Sequence, residues 1–244
     1  MTASKMAIVT GAARGIGAAV AERLARDLGY CVIINDLDEG DAEAVVGNIR
    51  RSGGQALALL GDIADPATFS MMFDHAEALS GGVDVLVNNA GIMVRRPMVD
   101  IDDAMFDRQI AVNFRGTFNG LREAAKRLRN GGRIVNISST VAAMQAENYS
   151  IYAATKAAIE TMTAVLAKEL RGRNISVNAV APGATATDLF LEGKPQSTID
   201  AFAKLAPLER IGTADEIAAI VAFLAGPDGG WINGQTIRAN GGVI

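Results

Sequence analysis

Short apolar runs alternate with longer segments of helical periodicity along this chain of 244 residues, and this alternation constrains the fold most strongly. It is typical of a parallel sheet, because each parallel strand must be followed by a crossover segment, usually a helix. Most of the runs are continuously apolar, as expected for strands that are covered on both faces. The predicted strands are residues 6–10, 31–36, 56–60, 83–87, 133–137, 176–180 and 236–239.

The segments between these strands carry apolar residues at helical spacing. The predicted helices are residues 16–28, 41–52, 66–79, 102–128, 152–171 and 214–224. No linker, repeat or low-complexity stretch divides the chain. We therefore predict one α/β domain over residues 1–244, a Rossmann fold with a doubly wound, mostly parallel sheet of seven strands and helices on both faces.

Residues 187–207 depart from this alternation. They include polar residues, Gly193 and Pro195, and they carry only a weak helical pattern. Ligands of a doubly wound sheet bind at the carboxyl ends of its strands, and this segment follows such an end. It is predicted to be a substrate lid, and the alternative is a plain surface connection.

The charge balance and the residue counts exclude several classes of protein. Lys and Arg total 23 and Asp and Glu total 27, a net charge of −4 with both signs interspersed, so we expect no nucleic-acid partner. No apolar stretch approaches the roughly 18 residues of a membrane span, so we expect no membrane partner. His75 is the only histidine, which excludes a zinc site of several imidazoles, and we expect no metal.

The single cysteine, Cys31, bears on the compartment of the protein. One cysteine cannot form an internal disulfide, as is usual for proteins of a reducing compartment. The N-terminus carries Lys5 but no long apolar run of the kind that a secretory leader needs. We therefore expect a cytoplasmic location.

A glycine-rich turn follows the first predicted strand and leads directly into a helix. Glycines in this context allow a tight turn, a close approach of the backbone to a pyrophosphate, and close packing of the helix on the strand. The unpaired N–H groups of the helix N-terminus then face the phosphates. The turn predicts a dinucleotide site, and the alternative is a glycine-rich turn without a ligand. The candidate residues are Gly11, Arg14, Gly15, Ile16 and Gly17.

Asp36 ends the second predicted strand, nineteen residues beyond Gly17. This is close to the offset of roughly 20 residues at which an acidic side chain binds the adenosine ribose 2′-hydroxyl. A carboxylate there repels a 2′-phosphate and favours NAD over NADP. Arg14 could instead pair with a 2′-phosphate, but this single cation would have to offset both anions. The sequence predicts NAD, with NADP as the second choice; an exposed aspartate without a ligand is the structural alternative.

Tyr152 and Lys156 are four positions apart in a predicted helix, so they share one face a turn apart. A neighbouring ammonium favours the phenolate and lowers the pKa of a tyrosine from its reference of about 10. Such a tyrosine can exchange a proton with a substrate oxygen while hydride moves to or from a nicotinamide. Taken alone, the spacing is a common chance match, and its alternative is a half-buried tyrosine beside a solvated lysine.

Further motifs follow one another in a distinctive order. They are Thr10-Gly-x-x-x-Gly-x-Gly17, Asn88-Asn89-Ala90-Gly91, Asn113, Ser138-Ser139, Tyr152-x-x-x-Lys156 and Pro182-Gly183. Over essentially the whole chain, this series resembles the classical short-chain dehydrogenase/reductase family. Within that family, the closing Asn233-Gly234-Gln235 and Asn240-Gly241-Gly242, with residues 210–216, look like 3-oxoacyl-[acyl-carrier-protein] reductases and their relatives.

The resemblance implies an activity and its alternatives. It implies an NAD(P)-dependent oxidoreductase that interconverts a secondary alcohol and a ketone, with a small carbonyl or alcohol compound as the partner. One alternative is a 3-oxoacyl-thioester reductase that uses NADPH. The other is a non-enzymatic dinucleotide-sensing protein on the same fold, because a fold alone does not specify a function.

The resemblance also implies catalytic roles. Tyr152 would donate or accept the proton, and Lys156 would lower its pKa and bind the hydroxyls of the nicotinamide ribose. Ser139 would hydrogen-bond the substrate oxygen; it is chosen over Ser138 because it lies thirteen residues before Tyr152, as in the family. Asn113 would hold a water that links Lys156 to solvent, and the alternative is an asparagine that kinks a helix.

Further cofactor contacts follow from the same resemblance. Asn89, Ala90 and Gly91 would pass along the adenosine side, and Asp62 and Ile63 would meet the adenine. Asp62 could instead be a helix N-terminal signal. The end of the sixth strand and the threonines beyond it would bind the nicotinamide carboxamide and the pyrophosphate. These residues are Pro182, Gly183, Thr185 and Thr187.

Loops at the carboxyl ends of strands supply the candidate substrate pocket, at residues 93–95, 144–149 and 190–195. Arg95 and Arg96 could meet an anionic substrate or an acidic carrier, and they could equally be solvated. The resemblance further implies a homotetramer. The predicted helix of Tyr152 carries small residues that allow close packing between helices, namely Ala153, Ala154, Ala157, Ala158 and Ala164.

Overall fold

A parallel sheet of seven strands forms the centre of the protein in a computed structural model that describes residues 5–244. Residues 1–4 of the predicted domain lie outside the described residues. The strands of the described part are β1 (Met6–Thr10), β2 (Cys31–Asn35), β3 (Gln55–Ala58), β4 (Val83–Asn88), β5 (Leu128–Ile137), β6 (Ser176–Pro182), β7 (Thr185–Ala186), β8 (Gly212–Thr213) and β9 (Thr236–Ala239).

The order of the strands in the sheet is β3-β2-β1-β4-β5-β6-β9, and each neighbouring pair is parallel. The short strands β7 and β8 pair with each other outside this sheet. The first six strands have the order of a doubly wound Rossmann sheet. The predicted fold class is confirmed.

Helices cover both faces of the sheet. They are α1 (Gly15–Leu28), α2 (Glu39–Arg51), α3 (Pro66–Ser80), α4 (Asp103–Gln109), α5 (Thr117–Arg127), α6 (Val141–Met144), α7 (Ser150–Glu169), α8 (Asp188–Leu191), α9 (Gln196–Leu205) and α10 (Ala214–Ala225). A short 3₁₀ turn spans Met98–Asp100, and a π-helical segment, Ile110–Gly116, joins α4 to α5.

Each face of the sheet has its own apolar core. Residues such as Val20 of α1 and Val221 of α10 pack on one face, and Phe69 and Phe73 of α3 pack on the other with Leu121 of α5. Burial of these side chains is the main favourable term in folding. Both cores pack against the strands whose carboxyl ends carry the loops of this edge.

The prediction of one continuous helix over residues 102–128 is wrong. The chain changes from α-helix to π-helix at Ile110 and back at Thr117, and Leu128 already belongs to β5. The side chain of Asn113 explains the distortion: its Oδ1 accepts a hydrogen bond from Ile92 N at 2.8 Å and its Nδ2 donates to Ile92 O at 2.9 Å. Single π-helical turns are frequent at functional sites.

Other boundaries differ by a few residues. Strand β2 ends at Asn35, so Asp36 lies just beyond it, and β3 covers Gln55–Ala58 rather than residues 56–60. Strand β5 starts at Leu128, earlier than predicted, and α7 covers Ser150–Glu169 rather than residues 152–171. Strand and helix ends are set by local hydrogen bonds that periodicity does not encode.

Candidate active site

A cleft of about 530 Å³ opens at the carboxyl edge of the sheet, beside the point where the chain order reverses between β1 and β4. Ligands of doubly wound sheets bind at such a point. Seventeen of the predicted site residues line this cleft: Gly11, Arg14, Gly15, Ile16, Asp36, Asp62, Ile63, Asn89, Ala90, Gly91, Ser139, Tyr152, Lys156, Pro182, Gly183, Thr185 and Thr187. Two more, Gly17 and Asn113, lie behind its wall.

The glycine-rich turn has the backbone that its sequence requires. Gly11 and Gly15 have φ angles of 62° and 56°, in the left-handed region that favours glycine. Gly17 does not line the cleft, and its contact with a cofactor stays a prediction. A Cβ atom there would stand 2.2 Å from Gly11 O, so this glycine allows α1 to pack under the turn.

The N-terminus of α1 points its first N–H groups toward the cleft without a capping side chain. The cap residue, Arg14, is extended and its side chain makes no cap hydrogen bond. Unpaired N–H groups and the positive end of the helix dipole suit a phosphate group. The residues present therefore fit the pyrophosphate of a dinucleotide.

Asn89 supports the turn from the neighbouring strand end. Its Nδ2 donates to Thr10 O at 2.9 Å and to Gly11 O at 2.8 Å. The Thr10 hydroxyl in turn accepts from the N–H groups of Asn89 and Ala90. The Asn89 side chain thus braces the glycine-rich turn, a role that its motif did not reveal.

The acidic side chains of the cleft are engaged by backbone groups. Asp36 Oδ2 accepts from Ala13 N at 3.0 Å and Oδ1 accepts from Leu37 N at 2.8 Å. These two bonds fix the carboxylate at the edge of the glycine-rich turn. Asp62 Oδ1 accepts from Ala64 N at 2.9 Å, which closes a local turn just before α3. This agrees in part with the alternative that Asp62 is a helix N-terminal signal. Helix α3 is capped by Asp65 instead.

Tyr152 and Lys156 lie one turn apart on α7, as their spacing predicts. They are 8% and 3% exposed, and Lys156 Nζ lies 5.7 Å from the centre of the Tyr152 ring. Lys156 Nζ donates to the carbonyl of Ile137, the last residue of β5, at 2.7 Å. The lysine is therefore held by the sheet and is not a solvated neighbour of the tyrosine.

Burial dominates the protonation of this pair. It raises the pKa of Tyr152 to about 12, against a hydrogen bond with Ser139 that acts in the lowering direction. It lowers the pKa of Lys156 to about 8. The predicted lowering of the Tyr152 pKa by Lys156 is not found, because desolvation disfavours both charged forms. Tyr152 therefore carries its proton at neutral pH.

The two serines after β5 have different surroundings. Ser138 Oγ donates to Glu160 Oε1 at 2.7 Å and to the carbonyl of Lys156 at 3.3 Å, so its hydroxyl is occupied within the protein. Ser139 lines the cleft with Tyr152 and acts to lower the pKa of that tyrosine, while its Oγ accepts a hydrogen bond from Val141 N at 3.4 Å. This geometry agrees with the choice of Ser139.

Asn113 is fully buried close to Lys156. Gly91 lies between the two groups: a Cβ atom on it would stand 3.3 Å from Asn113 Oδ1 and 3.5 Å from Lys156 Nζ. Asn113 Nδ2 also donates to Thr155 Oγ1 at 3.3 Å, and Thr155 Oγ1 donates to the carbonyl of Tyr152 at 2.8 Å. Sequence reasoning missed Thr155, although its position beside Tyr152 and Lys156 on one helix could have indicated it.

Residues 187–207 lie along the outer side of the cleft. They form α8 and α9, and their side chains Phe190 and Phe202 meet edge to face with ring centres 5.3 Å apart. Both phenylalanines line the cleft. The segment thus contributes an apolar wall to the cleft.

Two further properties concern residues 5–244. No helix in this range is both long and apolar enough to cross a membrane. The same range contains no group of three or more His, Cys, Asp or Glu residues that could hold a metal ion.

Comparisons with known proteins cover nearly the entire chain. A family model described as enoyl-(acyl carrier protein) reductase matches residues 11–244. A short-chain type dehydrogenase/reductase of Picea abies is 41% identical, with 98% of this chain and 92% of that protein covered. An NADPH-dependent aldehyde reductase-like protein, chloroplastic, of Arabidopsis thaliana is 39% identical, with 99% and 95% covered. A short-chain dehydrogenase from Burkholderia cenocepacia J2315, solved in complex with NADP, is 40% identical with a TM-score of 0.92 over 99% and 98% of the chains.

Proposed function

The chain belongs to the short-chain dehydrogenase/reductase family and is an oxidoreductase that uses a nicotinamide dinucleotide, and from this premise we propose that it interconverts a secondary alcohol and a ketone. The observation that carries the proposal is the arrangement of Ser139, Tyr152 and Lys156 at one end of the cleft, with Asn113 directly behind them. The enzymatic interpretation replaces the alternative of a dinucleotide-sensing protein.

The proposed reaction uses these side chains to hold and move a proton. The dinucleotide, when bound, supplies or accepts the hydride. Ser139 hydrogen-bonds the substrate oxygen, and Tyr152 gives its proton to that oxygen during reduction or takes it back during oxidation. Lys156, in its charged form, stabilises the phenolate that reduction leaves on Tyr152. Asn113 positions the loop that carries Gly91 and would hold a water for reprotonation.

We assign the remaining predicted residues to the dinucleotide. The turn with Gly11, Gly15 and Ile16 and the N-terminus of α1 would hold the pyrophosphate, with Thr187 on its other side. Asp62, Ile63, Asn89, Ala90 and Gly91 would follow the adenosine. Pro182, Gly183 and Thr185 would meet the nicotinamide carboxamide. All of these residues line one cleft, and this supports the assignment.

The proposal favours NAD over NADP because of Asp36. Its carboxylate is fixed by two backbone N–H groups at the position that the adenosine ribose takes in Rossmann folds. A 2′-phosphate there would meet a held negative charge. Arg14 makes no ion pair with a carboxylate of residues 5–244 and would favour NADP, the cofactor named for two of the similar proteins. We weight the anchored carboxylate more.

We expect Asp36→Asn to shift cofactor preference toward NADPH. The amide keeps the shape and one acceptor but removes the charge that repels a 2′-phosphate. The ratio of kcat/KM with NADPH to that with NADH should rise by about tenfold or more, roughly 1.4 kcal/mol of transition-state preference. The measurement is steady-state reduction with each cofactor, with Arg14→Gln as the variant expected to shift the ratio the other way. A wild-type protein that prefers NADPH by more than tenfold would contradict the choice of NAD.

A second candidate is the 3-oxoacyl-thioester reductase that uses NADPH. The description of the matching family model shares the acyl carrier protein with this candidate but names an enoyl substrate. The substrate end of the cleft, with Met93, Met144, Leu189 and Phe190, is apolar enough for an acyl chain. Measurements of kcat/KM on a panel from acetoacetyl thioesters through sugars to steroids, with each cofactor, discriminate between the two candidates. We further propose that α8 and α9 act as the lid over this end.

We also propose that the protein is a homotetramer. Trp231 is 99% exposed and Phe223 is 45% exposed in the single chain, an apolar surface that an assembly would cover. The loop of Trp231 packs beside α7, where a Cβ atom on Gly234 would stand 3.4 Å from Ala167 Cβ. The outer edge of β9 is unpaired in the sheet order, and edge strands commonly pair or are covered.

Replacing Trp231 with serine is expected to weaken this assembly. The variant removes the most exposed apolar side chain of this surface without touching a core, so the folded monomer should persist. Sedimentation velocity at micromolar concentration measures the change as a lower sedimentation coefficient. Leu79→Ser, which removes an exposed leucine at the end of α3, is the matched control and should leave the coefficient unchanged. A wild-type protein that sediments as a monomer would contradict the tetramer.

The cytoplasmic location and the absence of nucleic-acid and membrane partners are further parts of the proposal. Burial raises the pKa of Cys31, so its thiol is a weak nucleophile that suits a structural role in β2. The net charge of −4 gives no general attraction for nucleic acid.

A further inference from the structure

Two cations lie on two aromatic rings at the rim of the substrate end. The guanidinium carbon of Arg95 is 5.4 Å from the centre of the Tyr149 ring, and Lys194 Nζ is 4.8 Å from the centre of the Phe190 ring. Tyr149 and Phe190 both line the cleft. Arg95 comes from the loop after β4 and Lys194 from the segment after α8, so two cations that are far apart in sequence each contact a ring of the same cleft.

Hydrogen bonds hold the backbone on both sides of Arg95 and the side chain of Lys194. On one side of Arg95, Val94 N donates to the buried Gln109 Oε1 at 3.2 Å, and on the other Arg96 N donates to Asn148 O at 3.0 Å. Lys194 N donates to Leu191 O at 3.1 Å, and its Nζ donates to Phe190 O. Fixed cations lose less conformational freedom on binding a ligand than free ones do.

These two charges are not neutralised within the described part of the chain. No ion pair in residues 5–244 joins Arg95 or Lys194 to a carboxylate, although Asp188 and Glu192 also line the cleft. Burial, followed by the positive charge of Arg95, lowers the pKa of Lys194. Two cations that repel each other are stabilised by an anion that binds both.

We propose that Arg95 and Lys194 bind a negatively charged group, a carboxylate or a phosphate, of the small carbonyl substrate at the end remote from its reacting carbon. This inference rests on the proposed function, because it places the reacting carbonyl at Ser139 and Tyr152. The rings of Tyr149 and Tyr152 are 6.4 Å apart, so the Arg95 guanidinium lies one ring beyond the catalytic tyrosine. An aromatic or short aliphatic spacer between carbonyl and anion fits this separation.

A small anionic substrate suits this site better than the surface of an acidic carrier protein. The cations contact rings that line the cleft, and the apolar side chains Phe190 and Phe202 continue toward the catalytic end. The site therefore selects substrates by a charge within reach of the cleft.

The test compares 4-acetylbenzoate with its methyl ester, two ketones that differ in the charge remote from the carbonyl. Steady-state reduction is measured for wild type, Arg95→Gln, Lys194→Gln and the double variant. We expect wild type to prefer the acid, and the double variant to lose about tenfold or more of kcat/KM for the acid, mainly through KM. Its kcat/KM for the ester should stay within about twofold. Arg96→Gln, which changes the neighbouring arginine, should leave both values unchanged.

The outcomes separate this inference from the proposed function. Reduction of the ester reports the ketone reductase activity, and the ratio of acid to ester reports the anion site. An equal loss for both compounds in the double variant, or no loss for either, would overturn the anion site. Calorimetric dissociation constants of the two compounds make the same comparison without turnover, so a failure of the proposed activity leaves the site testable. A double variant that loses kcat/KM only for a carrier-bound 3-oxoacyl thioester, and keeps the preference for the acid over the ester, would also overturn the anion site.

Discussion

Tyr152→Phe is expected to lower kcat for ketone reduction by about 10²- to 10⁴-fold, the usual contribution of a positioned general acid. The phenylalanine ring keeps the packing against Tyr149, whose ring centre lies 6.4 Å away, but it has no proton to give. Lys156 does not occupy the position of the lost hydroxyl, because its Nζ lies 5.7 Å from the centre of the Tyr152 ring and donates to the carbonyl of Ile137. The dissociation constant of the dinucleotide should change by less than about threefold, since the variant removes one hydroxyl from a large contact surface.

Two measurements check this expectation. Single-turnover rates give the chemical step, and fluorescence titration gives the affinity for the dinucleotide. Tyr30→Phe is the matched control, because Tyr30 is also buried but donates its hydroxyl to the carbonyl of Ala225, away from the cleft. It should keep wild-type turnover. Near-normal turnover in Tyr152→Phe would remove Tyr152 from the proposed mechanism.

The pH profile of the wild-type protein provides a second readout of the same pair. Because burial raises the pKa of Tyr152 to about 12, the tyrosine keeps its proton across the working range. Because burial lowers the pKa of Lys156 to about 8, the ammonium is the first charge lost as the pH rises. The kcat/KM for reduction should therefore fall as the pH rises through about 8. The midpoint of this fall is an apparent pKa of the coupled Tyr152 and Lys156 pair. A profile that stays flat up to pH 10 would contradict this order of titration.

Gly17→Ala is the second change with a large expected effect, and it acts on binding and on stability together. The new methyl carbon would stand 2.2 Å from Gly11 O, 2.5 Å from Asn89 Nδ2 and 2.9 Å from Ala12 Cα. Most of these atoms belong to backbone or to a braced side chain, so the turn itself must move. Overpacking of this kind costs about 1–3 kcal/mol of unfolding free energy. Dinucleotide affinity should fall by more than about tenfold, because the moved turn is the proposed pyrophosphate site.

Chemical denaturation and dinucleotide titration measure the two effects. Gly47→Ala is the matched control: it lies within α2, and the nearest atom to its new methyl group is the flexible end of Arg51 at 3.3 Å. An alanine in a helix interior is favoured over glycine by about 1 kcal/mol, so this variant should be as stable as wild type or slightly more stable. Unchanged affinity in Gly17→Ala would show that the turn does not hold the pyrophosphate.

The parts of the fold that sequence could predict are those set by local periodicity. Strand β1, the glycine-rich turn and the start of α1 follow from an apolar run and glycine spacing, and the shared face of Tyr152 and Lys156 follows from helical geometry. The π-helical segment could not be predicted in the same way. It depends on the hydrogen bonds of Asn113 with Ile92, which is distant in sequence and reaches it only in the folded chain.

The electrostatics of the site also depend on tertiary structure. A lysine four residues after a tyrosine suggests a lowered tyrosine pKa, but the depth at which α7 packs decides the result, and burial reverses the direction. The pairing of Arg95 with Lys194 is a further case, because no pattern relates positions so far apart. Both residues fell within the loops predicted as pocket candidates, but nothing in the sequence related one to the other.

The hydrogen bond from Lys156 to Ile137 couples the chemistry to the most buried part of the molecule. Regions of a protein open locally with very different free energies, and central strands open least. The catalytic ammonium is tied to the end of a central strand, whereas the wall formed by α8 and α9 belongs to short helices with no fully buried side chains. If the proposed lid opens, substrate and product would therefore pass through the outer wall while the proposed proton-transfer geometry stays fixed to the sheet.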